Sequence, residues 1–413
     1  MSETGVSGAR APLLQRLEHA SLLGMALVLP LLEAPKNLLW IAFAVLWLAN
    51  RWRARDFGGR WGTWDTLIVL LIASGYLAAA FAGIRDAEWR GTGDILRYGS
   101  VLWLLMRGRY PPQVLERLLV CIVAGTLVAL AWGWYGLAIT GQRSTLGLKS
   151  VGHVNHSAIY LAITLGALLA CVRAYWTRAG LALRPLGLTV LALFATSLFV
   201  MQSRGAFVAA VMVAAALLLA YSVRMRHSLR PLAIGSAVLI ALMLALKPQV
   251  IEKNQALLEK NQFLSHRDGI WRAGLATWRA NPLFGVGMKN YGRVGHEQLE
   301  RWSSQRGEIH EASRYILSSH GHSLYVNTLA ERGAFGFAVL AALLAAWLVA
   351  LGRRLPRPEA PALEWSYWGG ACAAWIVAVV VGLVNTTLHH EHAMLSMLLL
   401  GGWLQLRRVR SGW

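Results

Sequence analysis

The sequence is poor in cysteine and in acidic motifs. Only three of its 413 residues are cysteine, and Cys121, Cys171 and Cys372 all lie inside apolar runs, so we predict no disulfide framework. No Asp-x-Asp pair occurs, which argues against a carboxylate-held divalent ion bound to a diphosphate. No Walker A sequence occurs either, so ATP is not an obvious energy source. Any chemistry must therefore use mainly cationic and imidazole side chains.

Charge is scarce, and most of it is positive. Only 15% of the residues are charged and 56% are hydrophobic, a composition too apolar for a typical soluble domain. Lys and Arg number 40 against 20 Asp and Glu, for a net charge of +20, which in a soluble protein would point to nucleic acid. Here the basic residues form short clusters between apolar runs, and the 19 Trp suit membrane interfaces. We therefore expect membrane lipids, and no nucleic acid, as partners.

Twelve apolar runs are candidate membrane spans, although several are shorter than the roughly 20 residues that a helix needs to cross a bilayer. The run at 95–106 is the weakest because Arg97 opens it. We predict an all-α polytopic membrane protein with about 12 transmembrane helices, in which residues 1–413 form a single membrane domain. The predicted spans are 19–32, 38–50, 66–83, 95–106, 117–138, 156–172, 185–201, 206–222, 232–246, 333–352, 367–387 and 393–406.

Arginine clusters occupy alternate loops between these spans, as expected for loops that face the cytoplasm. The intervening short loops 33–37 and 202–205 hold one cation each, and 388–392 holds none. This bias predicts cytoplasmic N- and C-termini. No small-residue cleavage site follows the first span, so we expect an uncleaved signal anchor.

One loop is long, and we predict that it lies outside, over residues 247–332, between spans 9 and 10. It contains helix-like stretches at 250–264 and 266–280, a stop at Asn281-Pro282 and a glycine-rich turn. A long ordered loop of this kind is a candidate lid or binding platform.

The end of this loop predicts a short helix from His322 to Arg332. Glu331 and Arg332 would be costly at the middle of a bilayer, so we place the next span after them, from Gly333 onward.

Three arginines stand out as candidate ligands for an anion. Arg204 lies in a tight turn between two spans, on the side that disfavours arginine, which favours a functional role over simple snorkelling. Arg267 and Arg272 begin the second helix of the long loop, where each taken alone is better explained as part of a solvated helix face. Arginine pairs bind phosphate oxygens bidentately and can stabilise a diphosphate leaving group without a metal.

Histidines gather in the same outer loops. His320 and His322 precede a predicted helix, and a neutral imidazole there is a reasonable general base. His153 and His156 enter the sixth span, and His389, His390 and His392 fill the last outer turn. These spacings permit zinc, but carboxylates are scarce and cysteine is absent from these loops, so we expect neither a metal nor another cofactor.

The other cations of the outer loops are Lys36, Arg85, Arg90, Arg97, Arg143 and Lys149. Together they imply an anionic partner at the depth of the lipid headgroups.

Several segments resemble the O-antigen ligase (WaaL) family, within the O-antigen ligase/polymerase superfamily. His322-Ser323, nine residues and Gly333-Ala334-Phe335-Gly336 are similar to that family's His-[Ser/Asn/Gln]-x9-Gly-x-x-Gly pattern. Gln202-Ser203-Arg204-Gly205-Ala206 resembles the Ser-Arg-Gly segment that ligases and polymerases share. The stretch from Arg267 to Gly287 is similar to the superfamily's outer loop.

The resemblance implies a membrane glycosyltransferase of GT-C-like architecture that lies in the bacterial inner membrane and acts at its periplasmic face. It implies transfer of an O-antigen glycan from undecaprenyl diphosphate to a sugar hydroxyl of the lipid A–core oligosaccharide, with inversion and without metal. His322 would be the general base, and Arg204 and Arg267 would bind the donor diphosphate. His320, Lys36, Arg143, Arg272, His156, His389 and His390 remain second-tier contacts.

Three alternatives stay open. An O-antigen polymerase uses the same chemistry on a carrier-linked acceptor, and a protein O-oligosaccharyltransferase uses a protein hydroxyl. A lipid-linked glycan transporter predicts mid-membrane charges, broken helices and internal repeats. The sequence shows few mid-span charges and no repeat.

Overall fold

A computed structural model describes residues 12–142, 144–225 and 267–411, and within these ranges the chain forms helices and no strand. This agrees with the predicted all-α class, as expected where a bilayer leaves no water to pair with backbone groups. The long helices are α1 (Leu13–Val28), α2 (Glu33–Ala54), α3 (Thr63–Ala80), α4 (Glu88–Arg107), α5 (Pro112–Trp134), α6 (Val154–Tyr175), α7 (Leu183–Val200), α8 (Arg204–Met225), α9 (Arg267–Ala280), α10 (His296–Gln305), α11 (Leu324–Arg353), α12 (Ala362–Gly382) and α13 (His390–Ser411).

Eleven of the twelve predicted spans coincide with described helices, and the predicted span 232–246 lies outside the described residues. Seven helices in the described part are both long and apolar enough to cross a membrane: α3, α5 with its continuation to Ile139, α6, α7, α8, α11 and α12. The other predicted spans lie in helices that are shorter or more polar than these seven, namely α1, α2, α4 and α13. For α4 this agrees with the sequence analysis, in which Arg97 made the run at 95–106 the weakest span. The chain is therefore a multi-pass membrane protein.

Helix α12 lies at the centre of the bundle and is buried along nearly its whole length. It packs against α6 through small residues, where Gly166 faces Ala373 and Gly369 faces Ala170. Such small side chains allow two helix backbones to approach closely in a membrane. The predicted boundaries 367–387 are displaced by five residues at each end, because Pro361 caps the helix early and the chain leaves it after Gly382. The early end moves residues 383–387 from the predicted span into a loop.

The segment 267–323 is folded and is fastened to the bundle. A small apolar core joins α9 to α10 through Ala273, Val286 and Leu299. The fully buried Asn290 accepts a hydrogen bond from the backbone N–H of Ala87 at 2.9 Å and donates its own amide to the carbonyl of Ile84 at 2.8 Å. The predicted helix 266–280 and its stop at Asn281-Pro282 are present, whereas the predicted stretch 250–264 lies outside the described residues.

Helix α11 is broken at Gly333, as predicted, although it begins at Leu324 and not at His322. Gly333 has φ +61° and ψ −166°, a conformation that essentially only glycine adopts. The break frees backbone groups that the turn after Pro282 satisfies. The N–H of Ala334 donates to the carbonyl of Pro282 at 2.8 Å, and the N–H of Val286 donates to the carbonyl of Ala330 at 2.9 Å. The turn at 281–287 and the helix break at Gly333, both predicted from the sequence, are therefore joined by backbone hydrogen bonds.

We expect Gly333→Ala to destabilise the protein by about 1–3 kcal/mol or more, because of the forbidden backbone conformation. An added Cβ would also lie 2.3 Å from the carbonyl of Leu283. The midpoint of thermal unfolding in detergent measures the effect. Gly352→Ala is the matched control, since no atom lies within 4 Å of a Cβ built there. An unchanged midpoint in Gly333→Ala would show that the break is not required.

Candidate functional site

Five helices begin at one end of the bundle and carry the predicted site residues to it. Arg204 is the first residue of α8, and Arg267 is the first described residue of α9. His322 lies two residues before α11, His156 is in the first turn of α6, and His390 is the first residue of α13. Residues far apart in the sequence thus share one end of the molecule.

Arg204 and Arg267 line the same cleft, whose volume is about 420 Å³. Its polar wall includes Asn155, Gln202 and Asn385, and its apolar wall comes from valines of α8 and α12 and from Leu383. A cleft with one cationic and one apolar wall suits an amphiphile that carries an anionic head. The residues that line it are Asn155, Gln202, Ser203, Arg204, Gly205, Val208, Arg267, Val380, Val381, Leu383, Val384 and Asn385.

The two guanidinium groups are close enough to repel each other. Burial, and next the charge of Arg204, lower the pKa of Arg267 from its usual value. Within the described ranges no acidic side chain forms an ion pair with Arg267. The backbone N–H groups at the start of α8 add positive potential in the same place. An anion between the two arginines would relieve the repulsion.

His322 is held in an unusual backbone conformation beside this cleft. Its φ of +43° is left-handed, which costs a non-glycine residue about 1–3 kcal/mol and is typical of functional sites. Ser323 follows it as the N-cap of α11, and its hydroxyl accepts from the N–H of Val326. The Nδ1 atom of His322 is buried and has no hydrogen-bond partner among the described residues. Buried polar atoms are nearly always hydrogen-bonded, so an orphaned imidazole nitrogen is a signal of a functional role.

Burial is the main reason that the pKa of His322 falls to about 4, and the nearby His320, Arg267 and His153 lower it further. A free imidazole has a pKa of about 6.5. His322 is therefore neutral at physiological pH and able to accept a proton.

A hydrogen-bond chain holds the loop that carries His322. The N–H of Gly321 donates to Oδ1 of the buried Asn327 at 2.9 Å. The amide of Asn327 donates to Oε2 of Glu331 at 2.9 Å, and Oε1 of Glu331 accepts from the N–H of Lys289 at 2.9 Å. The first turn of α11 thus links the His322 loop to the turn that closes the break at Gly333.

The remaining histidines meet on the other side of His322. The rings of His320 and His322 lie 4.1 Å apart between centroids, and those of His156 and His320 lie 6.2 Å apart. His156 stacks on His392, with 3.0 Å between Nδ1 of His156 and Nε2 of His392. His389 and His390 are also in contact. None of these histidines lines the arginine cleft.

Lys36 is a buried residue that pairs with Glu391, between His390 and His392 in the sequence. It is 1% exposed and forms ion pairs with Glu391 and Glu33. This burial argues against the direct substrate contact predicted for Lys36, because its ammonium group already has two carboxylate partners. The pair joins the start of α2 to the start of α13.

Asp94, His389 and His390 are grouped closely enough to hold a metal ion. The Nζ atom of Lys289 already lies 2.9 Å from Asp94, and a guanidinium nitrogen of Arg97 lies 3.6 Å from it. Two cations therefore neutralise the single carboxylate of this group, which disfavours a divalent ion there.

Two predicted contacts are not found in the cleft, and two residues that were not predicted line it. Arg272 is exposed on α9, and Arg143 lies outside the described residues. Asn155 and the buried Asn385 line the cleft but were not predicted. The signal for Asn385 was a polar residue inside an apolar run, and the misplaced end of α12 hid it.

Comparison with known proteins finds one family that matches part of the chain. Residues 189–341 match the Wzy_C family model, described as O-Antigen ligase, and this range contains Arg204, Arg267 and His322. No curated protein matches the chain. The family implies a membrane glycosyltransferase of the O-antigen ligase or polymerase type. Residues 189–341 of this multi-pass membrane protein are therefore similar to the O-antigen ligase family, which is consistent with the O-antigen ligase/polymerase superfamily.

Proposed function

We propose that this protein is an O-antigen ligase of the bacterial inner membrane. It transfers a glycan from undecaprenyl diphosphate to a sugar hydroxyl of lipid A–core, at the periplasmic face, with inversion and without a metal. The observation that carries this proposal is the meeting of Arg204, Arg267 and His322 at one end of the bundle, beside an amphiphilic cleft.

The cleft matches the donor's two chemical parts. Arg204 and Arg267 bind the diphosphate, and each charge-assisted bond contributes about 1.5–3 kcal/mol. The apolar wall at Val208 and Leu383, both more than half exposed, receives the first isoprene units. The donor therefore enters from the bilayer with its headgroup at the arginines.

The reaction is a single displacement at the anomeric carbon. The acceptor oxygen forms its bond to that carbon while the bond from the carbon to the phosphate oxygen breaks. The electron pair leaves with undecaprenyl diphosphate, whose charge the two arginines stabilise. The acceptor's proton passes to His322, which is neutral beforehand.

A polymerase performs the same displacement, so the acceptor distinguishes the two functions. Cationic outer loops favour the phosphorylated lipid A–core as the acceptor. One such cation is Lys149, which is exposed and lies over the ring of Trp132. A transporter is less well supported. The one broken helix in the described ranges has its freed backbone groups paired with the turn after Pro282, so the break does not line an open pathway.

Reconstitution with a defined undecaprenyl-diphosphate glycan tests the proposal. We expect a ligated product when lipid A–core is the acceptor, and an unchanged rate when a chelator is added. Product formed only on a second carrier-linked glycan would indicate a polymerase, and product on a protein hydroxyl an oligosaccharyltransferase. Glycan movement across liposomes without a new glycosidic bond would indicate a transporter.

The low pKa of His322 predicts an unusual pH profile. Because the base form exists above its pKa, we expect kcat/KM to stay level through pH 6.5 and to fall only as the pH approaches about 4. Initial rates across this pH range at low donor concentration measure the profile. An acid limb centred between pH 6 and 7 would contradict a buried neutral base.

A further inference from the structure

Five histidines form a second surface beside His322, and the proposed reaction gives this surface no step. We call it the imidazole cluster; it comprises His153, His156, His320, His389 and His390. Three different parts of the chain supply it, namely the start of α6, the loop before α11 and the start of α13.

The first turn of α6 separates this cluster from the arginine cleft. Asn155 lines the cleft, whereas the next residue, His156, packs on His392 and near His320. Consecutive helix positions point about 100° apart, so one turn serves two surfaces. The ring of His322 lies 4.1 Å from that of His320, and burial, His320 and Arg267 together lower the pKa of His322. His322 is therefore the group that both surfaces share.

The cluster offers hydrogen bonds that its own structure leaves unused. His320 uses Nδ1 with the hydroxyl of Ser319 at 3.0 Å, and His153 uses Nδ1 with the N–H of Asn155 at 3.2 Å. Among the described residues, the second ring nitrogen of each has no hydrogen-bond partner, and the His153 residue is exposed while His320 is partly exposed. Solvent, and hence a ligand, reaches these nitrogens.

The charge state of the cluster decides which ligand fits. Burial, and next the nearby His153, lower the pKa of His320, and burial holds the pKa of His389 well below its usual value. Neutral imidazoles each present one donor and one acceptor. That combination suits sugar hydroxyl groups, which also donate and accept, whereas a phosphate requires cations.

The direction of attack places the acceptor on this side. In an inverting displacement the nucleophile approaches the face of the anomeric carbon opposite to the leaving group. With the diphosphate at Arg204 and Arg267, the acceptor hydroxyl reaches His322 from the side away from the cleft. The geometry points to the imidazole cluster as the acceptor subsite, which binds the hydroxyl groups of the acceptor's terminal sugar. This inference rests on the proposed function.

Two-substrate kinetics of His320→Ala in lipid nanodiscs test the subsite. We expect the KM for the acceptor to rise about 2- to 10-fold, the loss for one neutral hydrogen bond, with the KM for the donor and kcat unchanged. His390→Asn, which keeps a residue that tolerates the left-handed φ of +48° at position 390, should show the same pattern if His320→Ala does not fold. His296→Ala, on α10 and outside both surfaces, is the matched control.

The outcomes separate this inference from the proposed function. If wild-type protein transfers to no sugar acceptor, the proposed function fails. If wild-type protein transfers normally and the variants keep the wild-type KM for the acceptor, the subsite fails alone. A raised KM for the donor, or zinc bound stoichiometrically and lost in His320→Ala, would also overturn the subsite.

Discussion

His322→Ala is expected to lower kcat for glycan transfer by about 10²- to 10⁴-fold, the usual contribution of a general base. His322 lies beside the arginine cleft, and its Nδ1 atom is orphaned among the described residues. Its pKa of about 4 keeps the imidazole neutral at physiological pH. Removing it leaves the acceptor hydroxyl without a group that takes its proton. Initial rates with saturating donor and acceptor measure the loss.

The control must separate chemistry from backbone strain, because His322 has a φ of +43°. Asparagine tolerates this conformation better than alanine, so His322→Asn is the strain-free comparison. Both variants should be equally inactive, and His322→Asn should retain the thermal midpoint of the wild type. If His322→Asn recovers most of the activity, position 322 supplies backbone geometry and not a base.

Arg204→Lys is expected to lower kcat/KM for the donor by about 10²- to 10³-fold, comparable to the loss of one preorganised charge-stabilising donor. Lysine keeps the charge but cannot form the two parallel bonds that guanidinium makes to phosphate oxygens. Arg267→Lys should behave in the same way, because both side chains line one cleft. Titration of the donor with wild-type and variant protein measures the change.

The double variant provides a sharper test of a shared diphosphate. If Arg204 and Arg267 bind the same group, their effects should be non-additive, and the double variant should lose less than the product of the two single losses. Arg279→Lys is the matched control, since Arg279 is exposed at the other end of α9. Full activity in Arg204→Lys would refute the clamp.

Local sequence predicted the helices and one important break. A bilayer requires backbone groups to be paired within each segment, so apolar length alone identifies spans. The break at Gly333 was predictable because Glu331 and Arg332 cannot lie at the middle of a bilayer without cost. The boundaries of α12 were wrong by five residues, since the apolar run continues past Gly382 into a loop. Hydropathy does not show at which residue a helix ends when the residues that follow it are also apolar.

Composition and motifs by themselves determined that this is a helical membrane protein with Arg204, Arg267 and His322 as its leading candidates for chemistry. Only tertiary structure decided which polar groups meet. Lys36 is neutralised by Glu391, 355 positions away, and His156 stacks on His392, 236 positions away. Asn385 reaches the cleft because α12 ends early. Such contacts depend on how helices pack side by side, and hydropathy reports only the length and polarity of each helix.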